Sequence, residues 1–195
     1  MTARPILFSG PMVRALLEGR KTQTRRAMRY QPKWYSGRRF VMDDDVPEAW
    51  QDSDNILDLC PHGQAGDLLW ARETWAAPHA YDHLPPRLVP QEANIHFLAS
   101  EERSGLMWRP SIFMPRWTSR LTLRIIEVRV QRLQDIGQGD ACAEGAPAPH
   151  EPIGWYSELW DAINGDGAWA ENPWVWALTF EVIKANVDQV IKEAA

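Results

Sequence analysis

Gly19-Arg20-Lys21-Thr22-Gln23-Thr24-Arg25-Arg26 places an amine, two hydroxyls and three guanidinium groups within eight consecutive residues. Ahead of this stretch, Pro11 and the apolar Met12, Val13, Leu16 and Leu17 recur at helical spacing, and Gly19 stands where a helix end favours glycine. A short helix should therefore stop at the cluster. From Lys21 onward the chain is rich in threonine and loses helical periodicity, which predicts a strand with Thr22 and Thr24 on one face and Lys21 and Gln23 on the other. A twist or bulge is then needed before Lys21 and Thr24 can meet.

Working outward, Gly63 to Glu73 reads as a turn entering a buried strand through Leu68, Leu69 and Trp70. Ser119 to Leu133 carries the longest strand signal. Its apolar alternation slips between Ile125 and Ile126, as at a bulge or barrel corner. Asp140 to Glu144 and Trp155 to Ile163 predict two helices, and Trp174 to Val182 alternates as a final strand. These elements are separated by two long irregular insertions, near residues 30–62 and 76–107. At 195 residues one domain over residues 1–185 is expected, followed by a helical tail over 186–195, weakly attached.

Two cysteines, Cys60 and Cys142, are too few for a disulfide scaffold and predict reduced thiols in a cytoplasmic protein, with Cys142 buried in its turn of helix. No apolar run reaches membrane-spanning length, and Met1 to Gly10 lacks the pattern of a signal peptide. The net charge of −5 argues against a protein that coats long nucleic-acid tracts. Positive charge is nevertheless segregated. Residues 1–40 hold ten basic residues and one acid, whereas residues 41–70 hold eight acids and no basic residue. Either this is ordinary solvated surface, or a basic face flanked by Arg20, Arg25 and Arg26 steers a phosphate-bearing ligand. Of the eleven tryptophans, Trp70, Trp160 and Trp174 suit core positions, and Trp34 and Trp108 lie among arginines where a base could stack.

Acyl transfer requires a nucleophile, a base and an acid. Thr24 and Lys21 supply the first two, and Arg20, Arg25 and Arg26 would lower the lysine pKa. The residues alone nominate Glu73, Glu144 and Glu18 equally as the acid, and they fit an anion-binding strand without catalysis as well as an enzyme. His79 and His83 have the spacing of paired metal ligands, but Pro78 and Pro85 oppose a helix there and no third ligand is evident. No metal and no organic cofactor are expected.

Gly19-x-Lys21 with Arg26 five residues after the lysine resembles the ASCH domain family. Pro5-Ile6-Leu7-Phe8, Gly66-Asp67, Trp70 to Trp75, Met114-Pro115-Arg116-Trp117 and Asn172-Pro173-Trp174-Val175 extend the similarity to its prophage and bacterial members. The resemblance implies a mixed α+β, PUA-like small β-barrel with flanking helices, interrupted by the two insertions. The Gly-Arg-Lys-Thr-x-Thr order is similar to that of the small N4-acetylcytidine amidohydrolases. That likeness implies Lys21 as base, Thr24 as nucleophile and Glu144 as acid. A pocket lined by Lys21, Thr24, Arg26 and Glu144 is then expected to hold a pyrimidine nucleoside or single-stranded RNA, with Arg25, Arg20, Thr22, Glu73 and Trp34 as further candidate contacts. Other members are proposed to bind RNA or show nuclease activity, so a non-catalytic RNA or modified-base binding module and a ribonuclease stay open. No obligate protein partner is implied.

Overall fold

The computed structural model describes residues 2–36, 39–42, 45–51, 55–101, 105–147 and 151–194. In chain order the elements are β1 (Ala3–Leu7), α1 (Gly10–Leu17), β2 (Gln23–Ala27), β3 (Trp34–Ser36), β4 (Arg39–Val41), α2 (Glu48–Gln51), β5 (Leu68–Arg72), β6 (Trp75–Ala76), β7 (His96–Phe97), β8 (Thr122–Arg132), α3 (Gln138–Ala143), α4 (Pro152–Asn164), β9 (Trp174–Ile183) and α5 (Val187–Glu193). The fold is mixed α+β. Its five-stranded sheet is hydrogen-bonded in the order β1-β5-β8-β9-β2, with β1 parallel to β5 and both β5–β8 and β9–β2 antiparallel. Among the described residues no ladder joins β1 to β2, so hydrogen bonding there does not close the expected barrel.

The chain forms two units, one from residues 1–19, 67–124 and 181–195 and the other from residues 20–66 and 125–180. In the first, α1 buries Val13 and Leu16 of the periodic set together with Ala15, and leaves Met12 and Leu17 half-buried. Pro11 sits in its first turn, and the chain leaves it through Gly19 at φ +75°, a left-handed conformation that glycine adopts without strain. β1 and β5 register from Ala3 opposite Leu68 to Leu7 opposite Arg72. The insertion over 76–107 is more ordered than its composition suggests. Its β6–β7 ladder and the packing of Ala77 and Val89, with Tyr81, Leu84 and Ile95, against Trp75 and Met114 from the flanking chain give it a core.

The expected weak attachment of the C-terminal tail is corrected by α5. Val187 and Val190 are 0% and 5% exposed and pack with Leu68 and Trp70, because their three-residue spacing puts both on one helical face. Asn186 caps the helix by accepting from Asp188 N at 2.9 Å, while its Nδ2 faces the carbonyls of Arg116, Trp117 and Ser119.

In the second unit, β2 pairs with β9 so that Thr24 lies opposite Leu178 and Arg26 opposite Trp176. The core joins Leu133, Ile136, Ala141, Tyr156, Trp160 and Val175, bringing α3 and α4 together with β9. α3 begins two residues before its predicted start and leaves Glu144 as its C-cap. The insertion over 30–62 holds the β3–β4 hairpin and α2 rather than being wholly irregular. Along β8, Leu123 and Ile125 are buried, Ile126 is 58% exposed and burial resumes at Val130, so the burial phase changes between Ile125 and Val130 with Ile126 left out of the core. Trp160 is buried as expected, and Trp174 is only half-buried. Cys60 is buried, whereas Cys142 is exposed, because the apolar face of α3 is spent on Ala141.

The packing of α5 is testable by denaturation. Val187→Ala should cost about 2 kcal/mol through lost methyl burial, and Lys192→Ala should stay within about 0.5 kcal/mol. Equal, negligible effects in urea unfolding would mean that the helix is not part of the cooperative core.

Candidate functional site

Two backbone hydrogen bonds fix the start of the basic stretch. Thr22 N donates to Ala143 O at 2.8 Å, and Thr22 O accepts from Phe180 N at 2.9 Å, so this segment is pinned between the end of α3 and β9. Lys21 consequently enters the interior beside the α3 C-cap. Its side chain is fully buried, and Nζ donates to Glu144 Oε2 at 2.6 Å and to Glu144 O at 2.9 Å. The other carboxylate oxygen, Oε1, accepts from Arg25 Nη1 at 3.1 Å.

Arg25 extends the network to a second acid on the same helix. Its Nη2 donates to Asp140 Oδ2 at 2.6 Å, and Arg129 Nη2 from β8 donates to that oxygen at 3.1 Å. Gln23 Nε2 donates to Asp140 Oδ1 at 2.9 Å, and Gln23 Oε1 accepts from Arg25 Nη1 at 3.2 Å. Asp140 and Glu144 are four residues apart on one helical face, and Gln23 and Arg25 are two apart on one strand face. The two periodicities meet across the network.

Burial is the main influence on Lys21, holding its pKa below the usual 10.5. The Glu144 charge and hydrogen bond oppose that shift, and Arg26 and Arg25 reinforce it. Arg26 is likewise lowered by burial, with Glu144 and Tyr156 opposing. Burial and the neighbouring Glu144 charge push the Tyr156 phenol well above 10, so this hydroxyl keeps its proton. Asp140 is held below 3.8: burial would raise it, and hydrogen bonds and charge from Gln23, Arg25 and Arg129 outweigh burial.

Lys21, Arg25 and Glu144 thus form one buried network. The strand starts at Gln23 rather than Lys21, so strict alternation does not govern where the lysine points. Thr24 is buried on β2, turned by strand alternation to the face that also carries Arg26. Arg20 is exposed and donates to Gly145 O at 2.6 Å. Arg25 is directed inward onto two carboxylates rather than outward as a steering charge, because those acids satisfy it within the fold. Thr22 is half-buried. Glu73, in the first unit, is buried with its two oxygens taken by Arg120 Nε at 2.8 Å and Nη2 at 2.9 Å. Trp34 lies on β3, and its side chain is outside the described residues. Trp108 is half-buried.

The residues that sequence reasoning missed are Asp140, Gln23, Arg129 and Tyr156. The four-residue spacing of Asp140 and Glu144 on a predicted helix was a usable signal for the first. Nothing local marks Arg129 or Tyr156, which arrive from β8 and α4. Among the described residues no group of three or more His, Cys, Asp or Glu is placed to hold a metal ion, and no helix is long and apolar enough to cross a membrane. His79 instead pairs with Asp82 at 2.8 Å.

No protein-family model matches the chain, and no curated protein matches it. Among solved structures it is similar to the crystal structure of protein EF3133 from Enterococcus faecalis V583, of the family DUF984. The identity is 10%, the match covers 96% of this chain and 83% of that one, and the TM-score is 0.43.

Removing the shared carboxylate should be costly. Glu144→Gln leaves the buried Lys21 and Arg25 without their common anion, an expected loss of about 3–5 kcal/mol in urea unfolding. Because the folded pKa of Lys21 lies below 10.5, the unfolded chain binds more protons between the two values. Stability contributed by this group therefore rises with pH through that window, and Lys21→Met should flatten the rise. An unchanged pH slope in Lys21→Met would show that the amine titrates as it does in water.

Proposed function

We propose that this chain is an ASCH-type, PUA-like protein and a metal-independent amidohydrolase that removes an acyl group from the exocyclic N4 of cytidine or a related pyrimidine nucleoside. The observation that carries the reading is the 2.6 Å hydrogen bond between fully buried Lys21 and Glu144. Moving one proton along it converts an ion pair into a neutral amine and a carboxylic acid. A low-dielectric interior favours that neutral pair. Base and acid are then generated together, with no change in net charge.

In the proposed cycle, Lys21 Nζ takes the Thr24 hydroxyl proton as Thr24 Oγ1 bonds to the acyl carbon. The C–N4 bond breaks as Glu144 delivers its proton to the departing amine. Water then adds to the acyl-threonine and gives a proton to the carboxylate, and the Lys21 ammonium returns its proton to Thr24 Oγ1 as the bond from Oγ1 to the acyl carbon breaks and the carboxylic acid leaves. Arg26 supports this assignment because it shares the Thr24 face of β2 and its charge also acts on Lys21. It is thereby suited to stabilise a developing oxyanion. Across β2, Trp176 lies opposite Arg26, with Trp50 at 6.3 Å and Tyr30 5.3 Å from Trp50. Trp176 is 1% exposed, so these rings are core packing beside β2.

A second reading, a non-catalytic RNA or modified-base binding module, is favoured by the inward engagement of Lys21 and Arg25 with carboxylates. Turnover decides between them. Purified protein should release cytidine from N4-acetylcytidine, and Lys21→Ala and Thr24→Ala should each lower kcat/KM by at least about 100-fold, with Thr24→Ser retaining part of the activity. Absence of turnover in the parent protein together with salt-sensitive RNA binding would replace the enzyme with the module.

A further inference from the structure

The Arg25 guanidinium is shared between two acids on α3, and only one of them touches Lys21. Nη1 serves Glu144 Oε1 at 3.1 Å, and Nη2 serves Asp140 Oδ2 at 2.6 Å. Asp140 itself is held from three sides, by Gln23 at 2.9 Å, Arg25 at 2.6 Å and Arg129 at 3.1 Å. Its side chain is 23% exposed, whereas Glu144 and Arg25 are essentially closed to solvent. Asp140 is therefore the rim of a network whose centre is buried.

We infer that Asp140 is a positioning residue: by holding one arm of Arg25 it limits that cation to a single Glu144 oxygen and leaves the other oxygen to Lys21. This deepens the hydrolase reading of the same site and rests on it for its catalytic meaning. A planar guanidinium offers paired donors in a fixed fork that matches a carboxylate. Released from Asp140, Arg25 can turn both terminal nitrogens onto Glu144 and compete with Lys21 for Oε2. The amine then keeps its burial but loses part of its anion. The charged and titratable groups around Lys21 and Glu144 are Arg25 and Arg26 on β2, Asp140 on α3, Arg129 on β8 and Tyr156 on α4. Of these, Asp140 is the acid that offsets Arg25 without touching Lys21.

Asp140→Asn is the test, because it keeps an oxygen for Gln23 and removes the charge that holds Arg25 and Arg129. Two readouts are taken on the full chain. The first is the titration of the Lys21 amine by NMR of isotope-labelled lysine, which needs no substrate. The second is the pH dependence of kcat/KM with N4-acetylcytidine. In Asp140→Asn both the Lys21 titration and the basic-group limb should move down by about one pH unit, and Asp140→Glu should restore the parent positions. A uniform loss of activity with unmoved limb and titration would reduce Asp140 to a structural role and overturn the inference. If the parent turns over no substrate while the Lys21 titration still shifts, the hydrolase reading fails and the positioning of the pair stands. Should Asp140→Asn not fold, Arg129→Gln frees Asp140 Oδ2 of its second cation and leaves it to hold Arg25 more firmly, so the Lys21 titration must then move up or the inference is lost.

Discussion

A lysine enclosed in the second unit with a carboxylate at 2.6 Å is the constraint on which the surrounding structure depends. Bringing an ammonium out of water costs several kcal/mol, and attraction to one anion repays it only when the geometry is close and the remaining donors are used. The end of α3 meets both conditions. It offers Lys21 a side-chain oxygen and a main-chain oxygen of one residue, Glu144, and the Thr22–Ala143 hydrogen bond holds the two segments at that spacing. Displacing α3 would strand the amine, so local backbone pairing and the buried charge require the same arrangement.

The arginines enlarge the problem before they solve it. Arg25 adds a second buried cation to Glu144, and one carboxylate cannot balance two positive charges. Asp140, one helical turn earlier, supplies the second anion; burial opposes its ionisation, and hydrogen bonds and charge from Gln23, Arg25 and Arg129 outweigh that cost. Gln23 completes the set by donating to Asp140 and accepting from Arg25. An amide can do both where a carboxylate cannot. The carboxylates of this interior are met by residues whose spacing matches the elements that carry them, while Arg25 Nε is buried with no hydrogen-bond partner among the described residues.

How much of this could be read in advance depended on range along the chain. α1, β9 and the two helices α3 and α4 follow from period and caps, as do the glycine after α1 and the change of phase in β8, because those signals lie within a few residues of what they determine. The pairing of Lys21 with Glu144 joins positions 123 apart and was reached through family resemblance, since residue types alone left Glu73 and Glu18 as equal alternatives. Glu73 shows why: its buried carboxylate fits the same description, yet Arg120 claims both its oxygens. The core of the 76–107 insertion and the firm seating of α5 were missed for a related reason. Their apolar residues are few and scattered, and they become a pattern only when partners from distant segments cover them.

The source of the altered amine shows the difference between counting charges and locating them. Three nearby arginines suggest a lysine kept neutral by repulsion, yet burial is the largest influence, and Arg20 is exposed and bonded to Gly145 O. Arg25 lowers the amine through its own charge and is also hydrogen-bonded to Glu144. A guanidinium placed against a carboxylate cancels part of that anion's field at the lysine, so it weakens the attraction that would otherwise hold the proton there. Repulsion and competition for a shared anion thus lower the amine together, and the second depends on how many acids Arg25 must serve. The depth of the site makes the amine proton-poor, and the arrangement of its acids determines how far that tendency is checked.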